Sequence, residues 1–257
     1  MKTSIAGAIG LILGLITQGF AQDQGDAAIP RDSVVFGRTY GDWAAAWEQW
    51  SRSIPVTAHP LFDTADCSAG QTGPVFFLGG KFCLSTATSC TSGTARRSCT
   101  VPAGKALFFP VVNGGTSVSE EALPGNTDPE CLTELPNPTI NCLRRALQDA
   151  LDKTTNLAVV LDGEPTPNLQ SDFRVQSPVF DFTLPTNNNI LAFLGEPLSG
   201  GTYEAAAEDG VFVMLPPLGV GQHTLNFTGT FPQFSPPFVI NITYHLCIAS
   251  RDSCKPK

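Results

Sequence analysis

The amino-acid sequence predicts a mainly β protein: an antiparallel β-sandwich, jelly-roll or immunoglobulin-like, with a Trp-rich helix ahead of it and a helical insertion within it. Three observations carry that expectation. Eight short apolar runs have strand length and are rich in β-branched and aromatic residues. Most of them are separated by Gly, Pro and Ser/Thr turn chemistry instead of helices, and eight cysteines follow an apolar N-terminal leader.

The leader has the layout of a secretory signal peptide. Lys2 supplies the positive end, Ile5 to Ile16 is apolar, and Gly19 and Ala21 place small residues at −3 and −1 of a cleavage after Ala21. Residues 1–21 are therefore expected to be removed, leaving 22–257 as a single disulfide-stapled domain. The apolar run is short for a bilayer span, and no later segment reaches 18 uncharged apolar residues. A secreted, extracellular protein is expected, without a membrane partner. The chain has 15 basic against 23 acidic side chains, net −8, with no basic cluster. Nucleic acid, which is held largely through Lys and Arg, is not an expected partner.

After a polar stretch, Tyr40, Trp43, Trp47, Trp50 and Ile54 recur on a 3.6-residue period, which predicts a helix ended by Pro55. Glu48 and Arg52 form an i,i+4 pair on the side opposite this stripe. Three tryptophans on one face read as core; an exposed platform for sugar rings is the other reading. The eight predicted strands are PVFFLGG (74–80), CTVPAGKALFFPVVNG (99–114), LAVVLDGEP (157–165), PVFDFTLP (178–185), ILAFLGEP (190–197), GVFVMLPPLG (210–219), HTLNFTGTF (223–231) and FVINITYHLCI (238–248). Asp162-Gly163 signals a tight turn. Between them, 117–153 reads as an insertion: an irregular Pro-rich excursion, then a helix from Asn141 to Lys153 with Leu143, Leu147, Ala150 and Leu151 on its apolar face.

The expected disulfides nest Cys83–Cys90 inside Cys67–Cys99 and add Cys131–Cys142 and Cys247–Cys254, because short closures cost the least chain entropy. No CxxC or Cys/His zinc spacing occurs, so neither metal nor cofactor is expected. Asn226-Phe-Thr and Asn241-Ile-Thr match the N-glycosylation acceptor pattern.

The last two runs read as a hairpin with one apolar face. Leu225 and Phe227 on one strand, and Ile240, Ile242, Tyr244, Leu246 and Ile248 on the other, share the inner face, so odd and even numbers pair. His223 then lies beside Tyr244 or Leu246, while His245 points outward with Asn226 and Asn241.

GQTGPVFFLGG (70–80), CTVPAGKALFFPVVN (99–113), DGVFVMLPPLGVGQHT (209–224) and ITYHL (242–246) resemble blocks of a family of secreted proteins, common in bacteria, with no established activity. That resemblance implies a secreted fold and no reaction. Leu-x-x-Gly-x-His-Thr (218–224) also looks like the last turn and strand of many immunoglobulin-like sandwiches, a likeness of fold alone.

No Gly-x-Ser-x-Gly elbow and no phosphate-binding loop is present. The acidic pairs Asp63 with Asp66, Glu120 with Glu121 and Glu208 with Asp209 suit acid–base work or calcium, but each lies in a polar, turn-like stretch where acids are ordinary surface. His223, Tyr244 and Arg174 make the sharper constellation. In an open groove, His223 or Tyr244 could take the α-proton of a uronic acid while Arg174 neutralises its carboxylate, the chemistry of a polysaccharide lyase. The packing alternative has His223 capping a strand, the Tyr244 hydroxyl on a backbone partner, and Arg174 paired with an acid at the edge. The sequence favours a non-catalytic binding or structural role, with an extracellular polysaccharide as candidate partner.

Overall fold

The structure, a computed structural model, describes residues 28–62, 66–81, 93–125 and 128–249. The leader 1–21, and with it Cys83, Cys90 and Cys254, lies outside the described residues.

Helix α1 (Tyr40–Ser53) starts at a capping box in which the Asp42 amide donates to Thr39 Oγ1 and the Thr39 amide to Asp42. Pro55 excludes the helical conformation at Ile54, which is extended. The predicted stripe is buried along its length. Each indole N–H is tied to a carbonyl: Trp43 to Val35, Trp47 to Leu78 and Trp50 to Ala69. These rings are core.

Among the described residues, ten strands form two packed sheets. Sheet one runs β1 (Val75–Phe77), β3 (Ala106–Ser117), β8 (Gly201–Leu215), β6 (Arg174–Gln176), with β7 (Phe180–Leu184) also on β8. Sheet two runs β2 (Gly93–Pro102), β10 (Phe238–Ala249), β9 (Gly221–Phe231), β4 (Thr155–Leu161), β5 (Glu164–Pro165). Both sheets are mixed, since β1 pairs β3 and β2 pairs β10 in parallel, where the sequence predicts antiparallel pairing throughout.

Sheet one is the middle layer. On one side Phe108 and Phe212 stack at 5.3 Å and meet Tyr40 and Trp47 of α1. On the other, Phe109 stacks at 5.1 Å on Phe227 of sheet two. Covered on both faces, β3 and β8 bury every residue over 106–112 and 206–215, hence the apolar runs 106–112 and 211–215. Sheet two is open on its outer face and its strands alternate buried with exposed.

The hairpin register is the predicted one: Leu246 faces His223, Tyr244 faces Leu225, and His245 is exposed. Asp162 and Gly163 turn β4 into β5 with φ of 50° and 97°, the left-handed pair that a type I′ turn requires. Helix α3 (Ile140–Asp152) buries Cys142, Leu143, Leu147 and Leu151. Disulfides join Cys67 to Cys99 and Cys131 to Cys142 as expected; Cys247 is also disulfide-bonded.

Two predicted strands differ. Residues 99–114 span the end of β2, a turn at Gly104 with φ of 85°, and most of β3. After the one-turn helix α4 (Leu169–Asp172), ILAFLGEP folds as a short helix α5 (Ile190–Leu194), because Asn189 caps it by accepting from the Ala192 amide and Gly195 closes it at φ of 101°.

Candidate functional site

β1 covers β3 only along 106–108, so beyond Phe108 that edge of β3 has no strand partner among the described residues. Pro110, which has no N–H to offer a neighbour, stands in this stretch, where the register of β3 against β8 also shifts. A cleft of about 340 Å³ runs along it. Its sides are largely apolar, with Leu147 and Leu151 of α3, Leu191 of α5, and Phe231, Phe238 and Ile240 of the hairpin. One end is charged: Glu48 and Arg52 from α1, Glu120 from α2 (Val118–Glu121), Glu196 after α5, and Asn113.

Arg52 is the hub. Its Nε donates to Glu48 Oε1 and its Nη1 to Glu120 Oε2, both at 2.5 Å, and Nη2 reaches the Gly115 carbonyl at 3.0 Å. The guanidinium also lies 4.3 Å over the Phe182 ring. Burial opposes its charge, but Glu120 and then Glu48 outweigh that and hold it more firmly protonated than usual. The pair expected on the far side of the Trp stripe is thus 8 % and 3 % exposed, sealed between α1, α2 and sheet one.

A second carboxyl stands behind each of these acids. Glu208, opposite Gly115 on β8 and fully buried, takes the Asn113 amide on Oε1 at 2.7 Å, while its Oε2 has no donor. Burial first, then the nearby Glu48 carboxylate, pushes Glu208 well above the usual carboxylate range. A proton retained there makes Glu208 a donor to Glu48. Glu196 repeats the arrangement beside Glu120: its Oε2 is also buried without a donor, and burial and then Glu120 push it up to about 7. The cluster therefore resolves into two acid–carboxylate pairs flanking one arginine.

This corrects the expectation for the acidic pairs. Glu208 and Asp209 are 0 % and 1 % exposed within β8, not on a surface turn, and Glu120 is buried while Glu121 is half-buried. These two pairs give one residue each, Glu208 and Glu120, to the cluster. Asp66 caps the turn at Ser68, and Asp63 lies outside the described residues. Among the described residues no group of three or more side chains is arranged to hold a metal ion. The sequence offered Glu48–Arg52 and the acids as separate signals; Glu196 carried none.

His223, Tyr244 and Arg174 are engaged separately. His223 Nδ1 meets Asp162 at 2.6 Å and Nε2 the Gly219 carbonyl at 2.9 Å. The Tyr244 hydroxyl donates to the Gly79 carbonyl at 2.8 Å and accepts from Arg97, itself bound to the carbonyls of Gly79, Gly80 and Leu61. Arg174, in the other sheet, forks onto Asp209 at 2.5 and 2.9 Å and reaches Asp152 at 3.0 Å. Asn226 and Asn241 lie side by side on the outer face of sheet two, the Asn226 amide donating to Asn241 Oδ1 at 3.0 Å.

A wider recess of about 740 Å³ lies by the β4–β5 turn, but its acids Asp32, Asp162, Glu164 and Asp172 are solvent-exposed. Comparison with protein-family models, with curated proteins and with solved structures finds no match to this chain.

Proposed function

We propose that this chain is a secreted, extracellular binding protein that takes a small molecule into the cleft along β3 beyond Phe108 without transforming it. The observation that carries this reading is the division of the cleft wall into apolar sides and one charged end. Small-molecule sites are built that way, with a few convergent polar groups fixing orientation in volumes of roughly 300–1,000 Å³. A buried acid with a strongly displaced pKa in such a cleft adds to the argument.

Secretion is supported by the leader at 1–21 and by disulfides, which persist in oxidising compartments. A small molecule, or the end unit of a glycan, suits the cleft better than a length of polysaccharide, because the three tryptophans that would stack on sugars are buried. The separate partners of His223, Tyr244 and Arg174 favour binding over a lyase.

The test is a thermal-shift screen of the secreted protein against anionic, neutral and cationic small molecules and short saccharides, beside Ala150→Trp, which fills the cleft from α3. At least one class should raise Tm by several degrees in the wild type and not in the variant. A shift that survives Ala150→Trp would place binding elsewhere. Chemical conversion of the ligand, followed by mass spectrometry, would replace binding with catalysis.

A further inference from the structure

Resting on the reading of this cleft as a binding site, we propose that its ligand is an organic cation: a protonated amine on an apolar body, the ammonium seated at the carboxylate end and the body along the apolar walls. Four carboxyl groups, Glu48, Glu120, Glu196 and Glu208, surround a single guanidinium whose Nε, Nη1 and Nη2 are already engaged. The Asn113 amide is taken by Glu208 Oε1. Of the two buried oxygens without a donor, Glu208 Oε2 lies outside the cleft lining behind Glu48, whereas Glu196, with its Oε2, lines the cleft. Around Arg52 the carboxyls outnumber the one guanidinium, and Glu196 Oε2 has no donor.

An ammonium supplies both, with three donors and one charge. A carboxylate or phosphate would be repelled by the cluster, and an alcohol would satisfy one oxygen while leaving the charge unbalanced. The side chains are gathered around the Arg52 guanidinium, and no three of the described residues converge as a metal ion requires. An organic cation with few coordination demands fits that spread better. The apolar walls give its body a place out of water.

Burial and the neighbouring Glu120 make Glu196 hold its proton up to about pH 7, so an ammonium seated beside it displaces that proton. The charged groups lining the cleft are Glu48 and Arg52 from α1, Glu120 from α2, Glu196, and Lys81, which donates to the Thr94 carbonyl; Glu121 acts on Glu196, and Glu208 on Glu48, from outside that lining.

The experiment is calorimetric titration of the full secreted protein at pH 7 with 2-phenylethylamine, 3-phenylpropan-1-ol and 3-phenylpropanoate, and with hexylamine, hexan-1-ol and hexanoate. The amines should bind at least tenfold tighter than the alcohols, the acids should give no heat, and amine binding should release protons, seen as a dependence on buffer ionisation enthalpy. Glu196→Gln should weaken the amines at least tenfold and narrow their advantage over the alcohols, whereas Ala150→Trp should abolish both. Alcohols or acids binding as tightly as amines would overturn the cation and leave the cleft a binding site. Amine binding that persists in Ala150→Trp would be surface pairing and would also overturn it. Silence of all six compounds, with a shift by another class in the broader screen, rejects the inference alone; silence throughout that screen rejects the binding reading as well.

Discussion

Gly115 and Glu208 are partners across the β3–β8 ladder, and the absence of a side chain at Gly115 opens the space in which the Glu208 and Glu48 carboxyls meet. A Cβ at 115 would stand 2.8 Å from Glu48 Oε1 and 3.1 Å from Glu208 Oε2. Gly115→Ala is expected to cost about 1–3 kcal/mol, read from the urea midpoint at unchanged slope. Gly114→Ala is the control: its Cβ would meet only the Leu147 and Leu151 methyls, at 3.3 and 3.4 Å, and should cost less. Equal losses would mean that the carboxyls do not constrain this strand.

Arg52 balances the whole cluster, so removing it leaves buried carboxylates without a counter-charge. Arg52→Met should lower stability by about 3–5 kcal/mol. Glu208→Gln should cost below about 1 kcal/mol at pH 7, since an amide reproduces the donor and acceptor of a carboxyl that already keeps its proton. A Glu208→Gln loss as large as that of Arg52→Met would show Glu208 to be ionised.

Two buried groups make stability depend on pH in opposite directions. His59, fully buried, donates from Nε2 to the Ser51 carbonyl and accepts the Leu61 amide on Nδ1, and burial lowers its pKa to about 4. The unfolded chain, with His near 6.5, then binds the extra proton between these values, so stability falls as pH drops from 6.5 to 4, by about 3 kcal/mol in all. Glu196 behaves oppositely. Its raised folded pKa makes the folded chain hold the extra proton, so its contribution is complete below pH 4.5 and lost as pH rises through about 7. Urea midpoints across pH 4–8 should therefore fall on both sides, and Glu196→Gln should flatten the upper limb alone. An unchanged upper limb in Glu196→Gln would contradict the assignment.

The disulfides differ in the loops they close. Cys67–Cys99 spans a separation of 32 residues and Cys131–Cys142 one of 11. Chain entropy assigns them about 3.7 and 2.8 kcal/mol. Replacing both cysteines of a pair by Ala should therefore lower Tm more for Cys67 and Cys99. The reverse order would locate the stabilisation in native contacts around α3.

Much of the fold was legible because its signals are local. The Trp stripe gave α1, the Leu spacing gave α3, and alternation between Leu225 and Ile248 gave the hairpin with its register. β2 was not legible, since its buried face is Gly93, Ala95, Arg97, Cys99 and Val101, too weakly apolar to stand out. The site was half legible. Glu48, Arg52, Glu120 and Glu208 each drew notice, but local pattern places acids outside. Only the coverage of sheet one on both faces buries them, and that is set by contacts such as Arg52 to Glu120, 68 residues apart.

The parallel pairing of β2 with β10 also fixes an order of events during synthesis. Pro102 pairs with Ala249, so a strand finished by residue 102 must wait 147 residues for its neighbour. At roughly 5–20 residues per second, that is about 7–30 s during which its edge is open. Sheet two can close only after the β10 sequence has left the ribosome, so its assembly is the last step of synthesis however early β2 is made.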